Sequence, residues 1–523
     1  MFQARIERNA ARPVADGALD RPEWWQTRGA ALVLILAAAV PLLYPAVAPL
    51  VDLPGHMGRY RIELDLANSP DLQRYFSFHW RLIGNLGADL LVIPLSKLFG
   101  LELATRLIVT AIPMLTVAGF LAVARQIHGR LPATSLLALP LAYSQPFNWG
   151  FVNYTLSMAL AFLAFAAWLE LTREQRFRLR AALFVPLCAI LYVVHAGGWV
   201  AFCIMAFAAE VVRFGKLGRN WGAAIASASV QCLAFSLPIG MMLVWRGNAT
   251  QPMFQDWLGF ASKPLWLISL FRYNSQAFET SCAVLTLGAL GLLALRAWRS
   301  FAPQLALGAA LLFILFLLLP WRVLGSAHTD MRLAPYIVAL GLLAANVPPS
   351  AKRGAKEIAV AAAALFALFL AVRTVDFARV ADEQKRQLSA LAYLPRGADV
   401  TALANSDCRD PWNLTLNGHI ASYVVIRRNG FSNDQWLTPG INLLGLRDPV
   451  HGGFAEDPSQ MVTPNDCPVV RYATRIDPTV AAATRGPSDY LWLIDIRPAE
   501  PRLLSGWQRV WHYQHSALYR RAA

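Results

Sequence analysis

Charge is scarce in this chain. Only 15% of its 523 residues are Asp, Glu, Lys or Arg, whereas 56% are hydrophobic; a soluble protein of this length carries a larger charged surface. The scarcity is also lopsided, with 32 acidic residues against 47 basic ones. The basic excess comes with no DNA-binding or RNA-binding signature and falls largely between apolar runs, so it reads as topology signals and not as a nucleic-acid surface. Several enzyme signatures are missing: no Walker A glycine loop, no H-E-x-x-H, no paired C-x-x-C and no G-x-S-x-G elbow. Phosphate energy from ATP is therefore not the expected driver. Cysteine is sparse too. Cys188, Cys203, Cys232 and Cys282 lie in apolar segments as small packing residues, and Cys408 and Cys467 share a polar C-terminal region.

Long apolar runs are plentiful. They cover roughly residues 29–50, 104–124, 132–147, 151–170, 180–212, 222–244, 280–297, 302–320, 333–348 and 356–373, and a span needs about 20 apolar residues. The stretch after Arg5, Arg8, Arg12, Arg21 and Arg28 is longer than a signal-peptide core, and Pro49 would occupy the first mature position; it reads as a retained first helix behind a cytoplasmic tail, residues 1–28. Basic clusters at 125–130, 173–180, 213–219, 296–299 and 352–356 are expected on the cytoplasmic side. The run 180–212 then becomes a hairpin turning at His195-Ala196-Gly197-Gly198, read as flexible glycines. The run 82–99, punctuated by Asn85, Asp89 and Lys97, becomes a juxtamembrane helix. A competing topology lets 84–99 span and places Arg125 and Arg130 outside. The preferred fold class is a mainly α polytopic bundle of about eleven crossings plus that juxtamembrane helix, occupying 29–375, with a first external loop at 51–81.

Beyond Asp376 the hydropathy drops. A charged helix, Asp376 to Leu391, precedes strand-like runs at Asp399 to Ala404, Ile420 to Ile426, Tyr490 to Ile496 and Arg509 to Tyr513. Residues 376–523 form a small α/β domain, expected to be extracytoplasmic. There Cys408 and Cys467 are expected to pair as a disulfide, two free thiols being the alternative.

On this topology the chemistry-bearing residues meet at the external face. Asp52 and His56 follow the first helix, where a carboxylate near hydrocarbon is costly and persists for a purpose; the bland alternative is a helix cap or turn residue. Asn148, Trp149, Asn153 and Tyr154 form an aromatic and amide cluster, or simply an interfacial belt. His195 is a pocket candidate or a packed core histidine. His328 and Asp330 flank Arg332, itself a phosphate-binding candidate or a snorkelling anchor. Arg246, Lys263 and Arg272 are the other cations of this face.

The pattern resembles the glycosyltransferase C superfamily, multispanning enzymes that take a sugar from a polyprenyl phosphate. The resemblance rests on Asp52-Leu53-Pro54-Gly55-His56 opening the first external loop, the amphipathic segment Leu82 to Phe99, the apolar core, Arg332-Leu333-Ala334-Pro335 at a late helix, and a terminal soluble domain. Many members carry a second acidic residue where Leu53 stands here. The resemblance implies an enzyme of the cell envelope, in a bacterial inner membrane, moving a sugar from a lipid-linked donor to a hydroxyl of a glycan, lipid or protein. Asp52 would be general base, with His56 beside it; Arg332, Arg246, Lys263 and Arg272 would hold the donor phosphate. No cofactor is required, and a divalent metal is admitted but unsupported by paired carboxylates. The alternatives are a lipid-linked substrate transporter or flippase, for which no internal repeat is visible, and a noncatalytic lipid-binding member of the same fold.

Overall fold

In the computed structural model the described residues are 22–246, 254–255, 260–323, 326–347, 352–437, 442–447, 449–468, 472–496 and 501–522. Most of the 1–28 tail lies outside them. Helix α1 (Arg28–Ala37) is capped by Thr27, whose hydroxyl accepts from the Ala30 N–H, and a tighter turn continues it to Leu42. The apolar run expected over 29–50 is helical only to that point, because Pro41, Pro45 and Pro49 remove backbone donors and break the ladder.

Asp52 stands at the N-cap of α2 (Leu53–Asp65), with Pro54 in its first turn. The juxtamembrane helix expected over 82–99 is α3 (Gly87–Phe99), so its first turn is displaced. Residues just before it pair elsewhere: the Leu86 N–H donates to the Val193 carbonyl at 2.8 Å, and Gly84 accepts from the Ala196 N–H at 3.0 Å.

The bundle continues with α4 (Leu101–His128), α5 (Val152–Arg173), α6 (Phe177–Val194), α7 (Ala196–Lys216), α8 (Trp221–Cys232) and α9 (Leu237–Arg246), then α10 (Gln276–Ala297), α11 (Pro303–Leu318), α12 (Ala334–Ala344) and α13 (Lys352–Gln387). Among the described residues, six helices are long and apolar enough to cross a membrane, and seven if the pair bent by 55° around Ser236 counts as one span; three shorter apolar helices accompany them. The chain is an integral membrane protein, and this measure leaves the expected count of eleven crossings unconfirmed. One expected span changes character. Residues 132–147 contain a 3-10 helix, Ala133–Tyr143, led by Pro132 and interrupted by Pro140, and not a long α-helix.

The hairpin between α6 and α7 turns at His195, and its glycines serve contact, not flexibility. A Cβ at Gly198 would lie 2.5 Å from the Ser157 carbonyl oxygen, and one at Gly197 would lie 2.7 Å from the Tyr154 ring. Both let α7 press against α5. At the other end of these helices the buried Arg180, one of the arginines read as a loop signal, donates to Glu210 at 2.5 Å and to Gln231 at 2.7 Å, while Arg213 takes the second Glu210 oxygen at 2.6 Å. Each of these charges is paired, as burial demands.

Helix α13 runs unbroken across residues 375 and 376, so the last apolar run and the charged helix after it are one 36-residue rod. Beyond it, β2 (Asp399–Asn405), β3 (Phe431–Ser432), β5 (Met461–Thr463), β6 (Thr474–Arg475), β7 (Tyr490–Ile494), β8 (Trp507–Tyr513) and β9 (Ser516–Arg521) form one sheet in the order β8-β9-β7-β2-β5-β6, with β3 also on β2. The ladder joining β7, β2, β5 and β6 is parallel; β8 and β9 close it as an antiparallel hairpin. The run Ile420 to Ile426, expected as a strand, is a 3-10 turn followed by α14 (Tyr423–Arg428). Its apolar residues are buried on two sides, Val424 in the main core and Val425 beside Ile62 and Phe76, and such a run has no period to read. Cys408 and Cys467 form a disulfide, with Cα atoms 5.9 Å apart.

The sheet domain is clasped to the first loop and to the head of α4. Strand β1 (Phe76–Phe78) pairs antiparallel with β4 (Leu444–Leu446). Arg427 pairs with Glu102 at 2.8 Å and Arg396 with Asp71 at 2.9 Å.

Candidate functional site

Asp52 is held by its own backbone. Its N–H donates to the Trp149 carbonyl at 2.9 Å, and that of Val51 donates to Asn148 at 3.4 Å. Gly150, in the left-handed region at φ +85°, lets this turn close: a Cβ there would lie 3.0 Å from the Asp52 nitrogen. Asn148 locks the turn from below, its amide shared among the carbonyls of Tyr143, Phe271 and Arg272 at 3.1–3.3 Å. Asn148 and Trp149 of the aromatic and amide cluster thus cradle the backbone that carries Asp52.

Arg332, buried at the head of α12, lies with its guanidinium 3.8 Å from the centre of the Phe151 ring, and one Nη donates to the Ala327 carbonyl at 2.9 Å. The Tyr154 hydroxyl donates to the Arg332 carbonyl at 2.9 Å. Its Nε is buried with no hydrogen-bond partner, and its charge acts on Asp52, His56, His195 and His328 alike.

The others divide. His195 caps α7, its Nδ1 accepting from the Gly197 N–H at 2.9 Å, with its ring edge-on to Tyr154. His328 lies among the indoles of Trp149, Trp266 and Trp321; burial first, then Arg332, Arg272 and Arg322, push it down to about 3, so it is neutral. Asn153 ties α5 to α3, accepting from the Ala88 N–H at 2.5 Å and donating to Asp89 at 3.1 Å; Asp89 in turn pairs with buried Arg59 at 2.8 Å. Lys263 spends its charge on Asp330 at 2.7 Å. Arg272 donates to the carbonyls of Pro411 and Trp412, both at 2.6 Å. Arg246 ends α9, and its side chain lies outside the described residues.

Four site residues escaped the sequence reading, and all come from the sheet domain. His419 places Nε2 3.8 Å from Asp52 and 3.6 Å from Asp457. Its Nδ1 is 2.9 Å from the Asp434 carbonyl. Trp436 lies tilted against both histidines, with ring centres 5.0 Å from His56 and 4.6 Å from His419. The run Asn433-Asp434-Gln435 is fully buried, although in sequence it looks like a solvated loop. Glycines on α2 make room for it: a Cβ at Gly55 would strike Trp436 at 2.7 Å, and one at Gly58 would strike Gln435 at 2.5 Å.

Burial pushes the Asp52 carboxyl up to about 7; His419 and Arg332 pull against it and Asp457 adds to it. Asp434 is pushed up to about 6, again by burial, with His419 opposing. Burial would lower His419, but Asp457, Asp52 and Asp434 outweigh it and leave the imidazole raised. His56 goes the other way, held well below its usual range by burial and by the charges of Arg59, His419 and Arg332. A carboxylate poised near neutrality beside a fixed cation can take a proton while an anion is held. As for a metal, the one trio of His, Cys, Asp or Glu ligand atoms lying within 4.8 Å of one another among the described residues is Asp407, Cys408 and Cys467, whose two sulfurs bond each other. The acids around Asp52 do not gather that tightly.

No protein-family model matches this chain, and no curated protein matches it. Solved structures do. ArnT from Cupriavidus metallidurans in the apo state superposes with a TM-score of 0.52 at 14% identity, over 94% of this chain and 97% of that one. The same protein bound to undecaprenyl phosphate gives 0.48 at 14% identity, over 95% and 97%. The class defined by the fold is thus a polytopic membrane protein with a sheet domain docked on its first loop, built like ArnT. The architecture expected from a few motifs is that of ArnT over 94% of this chain.

Proposed function

We propose that the protein is a membrane glycosyltransferase that moves a sugar from a polyprenyl phosphate to an acceptor hydroxyl at the extracytoplasmic face of a bacterial inner membrane, its N-terminus in the cytoplasm. The observation that carries this reading is that Asp52 and Arg332 meet the same turn: the Asp52 N–H donates to the Trp149 carbonyl at 2.9 Å, and the Arg332 guanidinium lies 3.8 Å from the centre of the Phe151 ring, with the Asp52 carboxyl raised to about 7 by burial. The acceptor oxygen attacks the anomeric carbon and its proton passes to Asp52. The bond from that carbon to the phosphate oxygen breaks, and its electron pair stays with the phosphate. Arg332 stands beside the Phe151 ring, suited to a phosphate at headgroup depth. The apolar bundle provides surface for the isoprenoid. No step requires a metal, in keeping with Leu53 following Asp52.

The test is donor turnover by the purified protein in nanodiscs, offered undecaprenyl-phosphate hexoses and pentoses, with release of undecaprenyl phosphate as the readout. Turnover by the wild type and its loss in D52N are expected. Wild-type turnover by D52N would remove Asp52 from the chemistry, and carrier movement across the bilayer without sugar transfer would replace the enzyme with a transporter. Orientation is read separately: thiol reagents applied from outside should label cysteines placed near Asp52 and Arg332, and not one placed near Arg176.

A further inference from the structure

Whatever removes a proton from the acceptor must itself be discharged before the next turnover, and Asp52 sits beneath the sheet domain, its side chain 15% exposed. We propose that His419 is the proton relay of this site: it receives the acceptor proton from Asp52 and hands it to Asp457, so that the sheet domain supplies the exit path for the base. This rests on the reading of Asp52 as general base.

The geometry is built for it. A backbone carbonyl only accepts, so the contact to Asp434 at 2.9 Å fixes the proton of a neutral His419 on Nδ1 and leaves Nε2 as the open lone pair. That Nε2 faces two carboxylates, Asp52 at 3.8 Å and Asp457 at 3.6 Å. Both separations exceed a direct hydrogen bond; they suit one bridging water, or a closure of about 1 Å when substrates bind. Exposure falls from 15% at Asp52 to 7% at His419 and rises to 21% at Asp457. Asp457 is steadied by Gln460, whose amide donates to it at 2.7 Å, and Trp436 covers the imidazole. The missing Cβ of Gly55, which would sit 3.1 Å from Nδ1, is what allows this approach.

The balance is simple. The proton leaves the acceptor oxygen as the bond to the anomeric carbon forms, resides on Asp52, moves to Nε2, and departs through Asp457 to water. No further reactant is consumed. The charged and titratable groups facing His419 are Asp52 and His56 from the first loop and Asp434 and Asp457 from the sheet domain; Arg332, from the head of α12, acts on Asp52 and His56.

H419N separates the relay from a packing role, because the Asn amide can keep the bond to Asp434 while Nε2 is gone. With an undecaprenyl-phosphate sugar that the wild type turns over, H419N is expected to lose about ten- to a hundredfold in kcat with donor KM unchanged. The acid limb of its pH profile should move to higher pH, since an imidazole whose charged form favours ionised Asp52 has been removed. D457N should also slow turnover but move that limb to lower pH, since a neighbouring anion has been removed. Opposite displacements are not the product of a loosened fold. Infrared titration of the Asp52 carboxyl, assigned by its loss in D52N, should reproduce both shifts without any substrate. Wild-type kcat and pH profile in both variants would overturn the relay, even with D52N inactive; an active D52N would instead overturn the base. If H419N fails to fold, as judged by its melting in detergent, D457N decides alone: a wild-type kcat and acid limb there would overturn the relay.

Discussion

The indole of Trp436 rests where Gly55 has no side chain. With Gln435 over Gly58, this contact seats the sheet domain against the helix that begins at Asp52, and a Cβ on Gly55 would come within 2.7 Å of the ring. G55L should therefore unseat the turn at 433–436 at a cost of about 1–3 kcal/mol. Hydrogen exchange should rise at 431–436 and donor turnover should fall, while the bundle keeps its protection. Unchanged exchange in that turn would show that the seat does not depend on Gly55.

Asp52 gives a stability prediction with a definite sign. Its carboxyl rises from an ordinary 3.8 to about 7 on folding, so between those values the folded state binds more protons than the unfolded chain. Folding is then favoured as pH falls and penalised above about 7, by on the order of 4 kcal/mol at most. D52N removes the penalty. It should melt higher than the wild type at pH 8, the difference shrinking as pH falls through 7 toward 4, although it is the inactive variant. A D52N protein that melts lower at pH 8 would mean that the carboxylate is better solvated than its burial indicates.

Arg332 tests the donor side. R332K keeps the charge but loses the planar fork and its stacking on Phe151, so binding of undecaprenyl phosphate in nanodiscs should weaken by about tenfold. R332A should weaken it further. Equal affinity in all three proteins would move the phosphate site elsewhere.

The bond between Cys408 and Cys467 spans a sequence separation of 59 residues, enough for its removal to cost the sheet domain roughly 2–5 kcal/mol. C408S/C467S, or wild type in strong reductant, should lower the first melting transition. Because His419 lies inside that loop, turnover should suffer at temperatures where the bundle is intact. An unshifted transition would show that packing on the first loop alone holds the domain.

What could be read in the sequence follows from what leaves a periodic or compositional trace. Apolar length marked the helices of the bundle, and Asp52 stood out because a carboxylate at a membrane exit is costly. Arg332 stood out as an external-face cation opening Arg332-Leu333-Ala334-Pro335 at the start of a late apolar run, and the two cysteines by sharing the one polar region. Contacts distant in sequence leave no such trace. Asp434 and Gln435 look like a loop until α2 is laid over them, and His419 differs in no way from a surface histidine until Asp52 is 3.8 Å from it. Lys263 and Arg272 illustrate the converse: each is a cation on the expected face, yet Asp330 and two carbonyls already hold them. Prolines misled in one direction only, shortening the first apolar run and tightening 133–143 into a 3-10 helix.

At 36 residues, α13 is about 54 Å long, against a hydrocarbon layer of about 30 Å. Such a mast has no joint at the water boundary, so the altitude at which the sheet domain rides is fixed by the rod and by how much of it the lipid swallows. Bilayer thickness thereby becomes a setting of the proposed site, since thick and thin membranes would offer a lipid headgroup to the same rigid platform at different heights.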